Sequence, residues 1–503
     1  MTSTENSAVV IGVDIGLTGM KAVAFTAAGE AVAIATEASP QTMPRPHWVE
    51  RDEREFWALF GRMLRTLTTE LEAQKREIAS IGISAHGDGV WLVNEELTPV
   101  RPGILSLDSR AQDTAAKLME VSGEKLMSIT GQGVVPASTG AVLRWLYDNE
   151  PEAVESATWF MSAKDFLRMR LTDTVGTDLT EASTAFTNVE TQDYDDAAFA
   201  AYGLESLKDK APKIDLSSDV IGEVSYLAHL HTGLPAGLPV IAGVHDVDAG
   251  AIGAGAVRPG QLAVMAGTWS INEVISDHPK IGEGWLGRAF VERGRWMNMS
   301  ISPASSANLE WFVNTLCSAD VDAARRAGES PFAFVDREIS RVEDTDDPVT
   351  FLPFLYGSPL PHDASAAIAG LRAWHTRGHI LRGLYEGIAF NHRYHVDGLL
   401  GAFDVNEIRV VGGVTRSSIW PQLFADTLNR PIIIPTAAEG GALGTAMLAA
   451  VGAGWFSDLE EASAMASETV TVTPGPGVQV QQERYNKFLE LIEVHKPWWA
   501  KQS

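Results

Sequence analysis

The stretch Val9-Val10-Ile11-Gly12-Val13-Asp14-Ile15-Gly16-Leu17-Thr18-Gly19-Met20-Lys21-Ala22-Val23-Ala24-Phe25 decides the fold. It opens on a near-continuous apolar run stopped by Asp14, which reads as a buried strand. Ile15 to Gly19 reads as a turn, and Lys21 to Phe25 returns as a second strand. A third strand is expected over Glu30–Thr36, a helix from about Asp52 to Lys75, and a further strand over Ile78–Ala85. A dinucleotide-binding unit would pass from its first strand through a glycine loop into a helix. The meander here excludes that class.

A related pattern returns about 250 residues later. Gln261–Ala266 reads as a strand, Gly267-Thr268-Trp269-Ser270 as a turn and Ile271–Ser276 as a second strand. Arg295–Ile301 can be a third, followed by a helix over Ser305–Leu316. Between the copies lies Ala249-Gly250-Ala251-Ile252-Gly253-Ala254-Gly255-Ala256, small and flexible enough to pack at a hinge. The expected architecture is α/β, with two actin/hexokinase-like (ribonuclease H-like) ATPase domains and a cleft between them. The first would span residues 1–248 and the second 249–455. A tail over 456–503, with a helix near Gln481–Val494, would pack back on the core.

Composition narrows the partners. The 503 residues suffice for two to four domains. With 65 acidic and 39 basic residues, the net charge of −26 argues against a nucleic-acid or anionic-membrane partner. It does not exclude a phosphorylated ligand in a local pocket. Cys317, the one cysteine, rules out an internal disulfide and a Cys-rich zinc module. The apolar run Ala8–Val13 is too short for a signal-peptide core, and no apolar stretch approaches a membrane span. A cytoplasmic protein is expected.

Three constellations carry chemistry. In Asp14-Ile15-Gly16-Leu17-Thr18 with Lys21, turn amides and the Thr hydroxyl can hold phosphate oxygens. Asp14 can anchor a hydrated Mg²⁺. The plainer alternative is a hairpin with a polar tip. In Ala242-Gly243-Val244-His245-Asp246-Val247-Asp248, a carboxylate leaving a strand end can accept a proton from a substrate hydroxyl. Either Asp could instead cap the following helix, the role expected of Asp248. In Val411-Gly412-Gly413-Val414-Thr415-Arg416-Ser417, paired glycines let a base or ribose approach the backbone, or merely turn the chain. P-loop, nucleophile-elbow and H-E-x-x-H motifs are missing. His375, His379, His392 and His395 lack interleaved carboxylates and read as surface or helix-end residues.

Taken in order, these segments resemble the FGGY family of carbohydrate kinases. The resemblance is carried by Asp14-x-Gly16-x-Thr18-x-x-Lys21, Asp246 after Ala242-Gly243, Gly267-Thr268 and Gly412-Gly413-x-x-x-Ser417. Glu439-Gly440-Gly441-Ala442-x-Gly444-Thr445-Ala446 adds to it. It implies two domains closing on MgATP and a sugar or polyol, with a homodimer as the expected assembly. By position it makes Asp246 the catalytic base, and Asp14 and Asp246 the Mg²⁺ contacts. Asp14, Gly16, Thr18 and Lys21 fall on the first phosphate motif and Gly267-Thr268 on the second. Asn308, Gly412, Gly413 and Ser417 fall on the nucleotide side.

The substrate wall is expected at Ser84-Ala85-His86-Gly87-Asp88-Gly89-Val90-Trp91. His86 and Asp88 could bond sugar hydroxyls, and Trp91 could lie against a sugar's apolar face or belong to the strand core. Asp108, in Asp108-Ser109-Arg110, could contact substrate or form a structural pair with Arg110. Stretches such as Ala266-Gly267-Thr268-Trp269-Ser270-Ile271-Asn272 and Pro353-Phe354-Leu355-Tyr356-Gly357-Ser358 resemble the L-xylulose kinase-like branch. Gly87-Asp88-Gly89 is similar to erythritol kinases. The expected acceptor is a ketopentose such as L-xylulose, or 3-keto-L-gulonate, with a four- or five-carbon polyol next. The other alternative is a non-catalytic sugar-sensing member of the actin-like ATPase superfamily. A sugar acid would call for an Arg or Lys at the site, which the sequence does not place. The motif loosens around Val142-Leu143-Arg144-Trp145, where the usual Lys before the Trp is missing.

Overall fold

The computed structural model describes residues 8–342, 347–360, 364–437, 439–466 and 468–501. Its first half opens with β1 (Ala8–Ile15), β2 (Gly19–Phe25) and β3 (Ala31–Ala38), then α1 (Glu53–Ala73) and β4 (Glu77–Ala85). Asp52 starts α1 by accepting from the Arg54 and Glu55 amides. β5 (Val220–Glu223), β6 (Pro239–Ile241) and β7 (Val244–His245) complete the sheet, in the order β5-β6-β4-β1-β2-β3 with β7 also on β4. β1, β2 and β3 are antiparallel, while β4 runs parallel to β1. A central parallel strand is covered on both faces, hence the unbroken apolar run Val9–Val13.

α2 (Asp246–Gly253) leads into β8 (Gln261–Ala266), β9 (Ser270–Ser276), β10 (Leu286–Ala289) and β11 (Trp296–Ser302). α3 (Ser306–Leu316), α4 (Arg377–Ala402), β12 (Glu407–Val411), α5 (Trp420–Leu428) and β13 (Ile432–Pro435) follow. α6 (Gly440–Gly452), β14 (Thr469–Val472) and α7 (Val478–Trp499) close the chain. The second sheet is ordered β10-β11-β9-β8-β12-β13-β14. From β11 to β14 it repeats the first sheet's pattern of three antiparallel strands, two parallel ones and an antiparallel edge. β10 has no counterpart in the first sheet.

Ala249–Ala256 forms a closely packed joint, α2 taking up its first five residues. A Cβ on Gly253 would lie 1.8 Å from the Gly440 carbonyl oxygen, and one on Gly444 2.0 Å from that of Ala249. α6 lies equally close on β1, since a Cβ on Gly12 would meet the Ala442 carbonyl at 1.9 Å. Only bare backbone permits such approaches. α6 belongs to the second half by sequence yet packs on the first sheet, and α2 packs under Ala263, Ile275 and Met297 of the second.

After residue 455 the chain adds β14 to the second sheet. α7 sets Tyr485, Phe488, Ile492 and Trp499 against Leu352, Phe354 and Phe390. No helix among the described residues is long and apolar enough to cross a membrane.

Candidate active site

Register brings the first site together. Across three parallel strands Asp14 lies beside Ser84, and Ser84 beside Val244. The carboxyl ends of β1, β4 and β7 therefore deliver Asp14, His86 and Asp246 to one edge, where open α/β sheets bind ligands. Burial and then the neighbouring Asp246 carboxylate raise the Asp14 pKa to about 6, against the pull of Lys21 and Ser84. The start of α6 closes over Asp14, since a Cβ on Gly441 would sit 2.6 Å from Asp14 Oδ2. Gly16 and Thr18 form the adjoining turn, closed by Gly16 N–H donating to the Gly19 carbonyl at 2.8 Å. Thr18 is exposed. Lys21 is committed elsewhere, its Nζ lying 2.5 Å from Glu439 Oε2.

His86 is buried, and burial followed by the charge of Arg51 lowers its pKa to about 4, so it is neutral. Arg51 Nη1 lies 3.2 Å from His86 Nε2, while Nη2 donates to the Leu17 carbonyl in the turn at 2.8 Å. His86 Nδ1 is buried without a partner among the described residues. Asp88 is half-buried at φ 60°, and its carboxylate bonds no described residue.

Two substrate expectations are corrected. Trp91 is 1 % exposed and packs against both Phe56 and Phe166, at ring distances of 5.7 and 4.3 Å. It is core, as β-strand position and ring size favour. Asp108 is 2 % exposed and accepts from the Val49 amide and from the amide, Nε and Nη2 of Arg110. No lone pair is left over for a sugar.

The loop carrying Asp246 is braced by groups that sequence spacing did not reveal. Lys164 Nζ sits 2.6 Å from Asp165 Oδ1 and 2.8 Å from Asp178 Oδ1, all fully buried. Burial works against the Lys164 charge, but Asp165 and Asp178 outweigh it and hold its pKa above the ordinary value. Arg168 Nη1 donates to the Ala242 carbonyl at 3.1 Å. Partners 14 residues apart in sequence leave no local pattern to read. His245 occupies the N-cap position of α2, whereas Asp248 was expected there. Asp248 lies inside the first turn, fully buried with both oxygens unpartnered among the described residues, and burial lifts its pKa to about 7.

The second half presents backbone. Gly412 has φ 106°, and a Cβ there would meet the Ala266 carbonyl oxygen at 2.4 Å, so the turn at Gly267-Thr268 and the turn at Gly412-Gly413 lie against each other. A Cβ on Gly413 would meet nothing within 4 Å. Ser417 donates to Asp336 at 2.8 Å, and Asp336 also accepts from Tyr385 and Ser418. Ser417 thereby fastens the loop to the helix Ala333–Ile339. Asn308 is corrected as a nucleotide contact: it is 0 % exposed and its amide joins the Ser305 carbonyl to the Leu355 amide. His392 and His395 differ from the surface reading too, being buried among Ser270, Asn272, Ser300, Ser302 and Ser305.

Residues 9–253 match the FGGY family of carbohydrate kinases, N-terminal domain, and residues 262–453 its C-terminal domain. The chain is 30% identical over 489 residues to the L-xylulose/3-keto-L-gulonate kinase of Escherichia coli (strain K12), covering 96% of each chain. It is 30% identical over 483 residues to a probable L-xylulose kinase of Pasteurella multocida (strain Pm70), covering 95% of this chain and 97% of that one. Among solved structures, the xylulose kinase from Rhodospirillum rubrum superposes with a TM-score of 0.88 at 28% identity, covering 98% of this chain and all of that one.

Proposed function

The chain belongs to the FGGY family of carbohydrate kinases, which use ATP, and on that premise we propose that its acceptor is a ketopentose such as L-xylulose or a related keto-sugar acid, with Asp246 as the base. The observation that carries the base assignment is the placement of Asp246, only partly exposed, at the first turn of α2 beside Asp14. The likeness to two L-xylulose kinases supports the acceptor class. Arg51, buried beside His86, forms no ion pair with a described residue and is the cation a sugar acid would require.

In this reading Asp246 takes the proton of the attacking hydroxyl while His86 and Asp88 orient the sugar. The turn amides at Gly16–Thr18 and Gly267-Thr268 receive phosphate oxygens, and Gly412-Gly413 admits the nucleotide. Among the described residues no three His, Cys, Asp or Glu side chains gather to hold a metal. Asp14 and Asp246 suit Mg²⁺ instead, which commonly binds one or two carboxylates and the substrate's phosphates, and when bound would neutralise charge on the transferred group.

An ATP-coupled screen over ketopentoses, pentitols, tetritols and keto-sugar acids tests the acceptor, and preference for glycerol or D-xylulose would overturn it. Asp246→Asn should keep ATP binding and lose turnover by on the order of 10²-fold or more. Near-native turnover would remove Asp246 from the role.

A further inference from the structure

Next to Asp246 stands a side chain that the phosphoryl-transfer reading leaves without a task. His245 is 5 % exposed and its Nδ1 lies 3.2 Å from Asp246 Oδ1. Arg288 Nη1 faces the other ring nitrogen, Nε2, at 3.2 Å. A carboxylate can only accept, so Nδ1 carries a proton directed at Asp246, while Arg288, which can only donate, faces Nε2. The Val247 amide, 3.4 Å from Nδ1, then finds no lone pair there. The ring cannot swing away. Its own amide donates to Thr180 Oγ1 at 2.9 Å, and it lies so close over Gly87 that a Cβ there would be 1.9 Å from Nε2.

Arg288 is held in turn. Its Nε donates to Gln132 Oε1 at 3.1 Å, and Gln132 Nε2 donates to the Gly287 carbonyl at 2.6 Å. Arg288 stands on β10, the strand that the first sheet does not possess, while His245, Asp246 and Gln132 belong to the first half. One polar chain, Gln132–Arg288–His245–Asp246, thus runs from the added strand to the candidate base.

We propose that His245 is a positioning residue for Asp246: fixed by Arg288, its Nδ1–H holds one carboxylate oxygen and leaves the other free to receive the proton of the acceptor hydroxyl. The idea rests on Asp246 being the base. It differs from a purely structural role in what it should move, because a mis-set carboxylate costs turnover more than binding.

The test is steady-state kinetics with ATP and whichever of L-xylulose, 3-keto-L-gulonate and erythritol turns over fastest. His245→Phe should lower kcat by about tenfold or more while both KM values stay within about threefold. His245→Asn, whose amide nitrogen can occupy the Nδ1 place, should recover most of the loss, and His245→Gln, whose amide reaches the Nε2 place, should not. Arg288→Met frees the ring without altering it and should lower kcat several-fold at unchanged KM. Native kcat in both His245→Phe and Arg288→Met overturns the proposal, and so does an equal fall in the Phe and Asn variants. Should His245→Phe fail to fold, the Asn–Gln contrast and Arg288→Met decide alone. Asp246→Asn, assayed alongside, separates the two ideas: if it retains turnover the base assignment has failed, and if it alone is impaired only the positioning role has.

Discussion

The two sheets share one strand order, but their matching strand ends present opposite chemistry. At the ends of β1, β4 and β7 stand Asp14, His86 and Asp246; burial and then the Asp246 charge raise the Asp14 pKa to about 6, while burial and then the Arg51 charge lower that of His86 to about 4. At the ends of β8 and β12 stand Gly267, Thr268, Gly412 and Gly413, with no charged side chain among them. On the function proposed above, a repeated fold is divided between two tasks: one edge puts ionisable groups to the reaction, where placing charge matters most, and the other presents bare backbone to a ligand that must approach closely.

The comparison breaks most sharply at Asp14. Asp14→Asn removes charge from the reactive edge and should lower kcat on the order of a hundredfold, with ATP binding retained, measured by turnover beside nucleotide titration. A variant that lost only ATP affinity would show the first edge to be a binding surface like the second.

Next in size is the pair of glycines. Gly412→Ala places a Cβ 2.4 Å from a carbonyl oxygen at φ 106°, strain worth about 1–3 kcal/mol before any clash. The ATP KM should rise by roughly tenfold while the sugar KM moves little. Gly413→Ala enters open space and should change the ATP KM by about twofold or less. Equal effects would mean that the turn's shape is not what binds the nucleotide.

The same division explains what could be read from the chain alone. β1 through β4 and their repeat follow local rules, an apolar run, a turn and a capped helix, so their places agree with the sequence to within two or three residues. Asp14 and Asp246 were legible because each ends such a run. Trp91 and Asp108 were ambiguous because their partners, Phe56, Phe166 and Val49, come from distant segments. Arg51, Lys164, Asp178 and Arg288 were invisible for the same reason: a buried charge shows its purpose only beside its partner. Trp91→Leu checks the point. It should destabilise the fold by about 3 kcal/mol in denaturant melts and leave the sugar KM of the folded enzyme unchanged.

The smallest effect probes what lies behind the reactive edge. Burial, opposed by His245 and Lys164, raises the Glu181 pKa to about 8, against 4.5 when exposed. The folded chain therefore binds a proton that the unfolded chain releases at about pH 4.5. Stability from this group is full below that pH and is lost as the pH rises through about 8. Thermal melts should show Tm falling between about pH 5 and 8.5, and Glu181→Gln should flatten that fall by a few degrees. Among the described residues the second edge has no buried acid of this kind at its strand ends, so a slope left intact by Glu181→Gln would come from Asp14, Asp248 or Glu273, whose carboxyls are also raised by burial. Each source keeps the pH sensitivity of the fold at or beneath the charged edge and away from the glycine turns, which is where a division between charged and bare edges requires it to be.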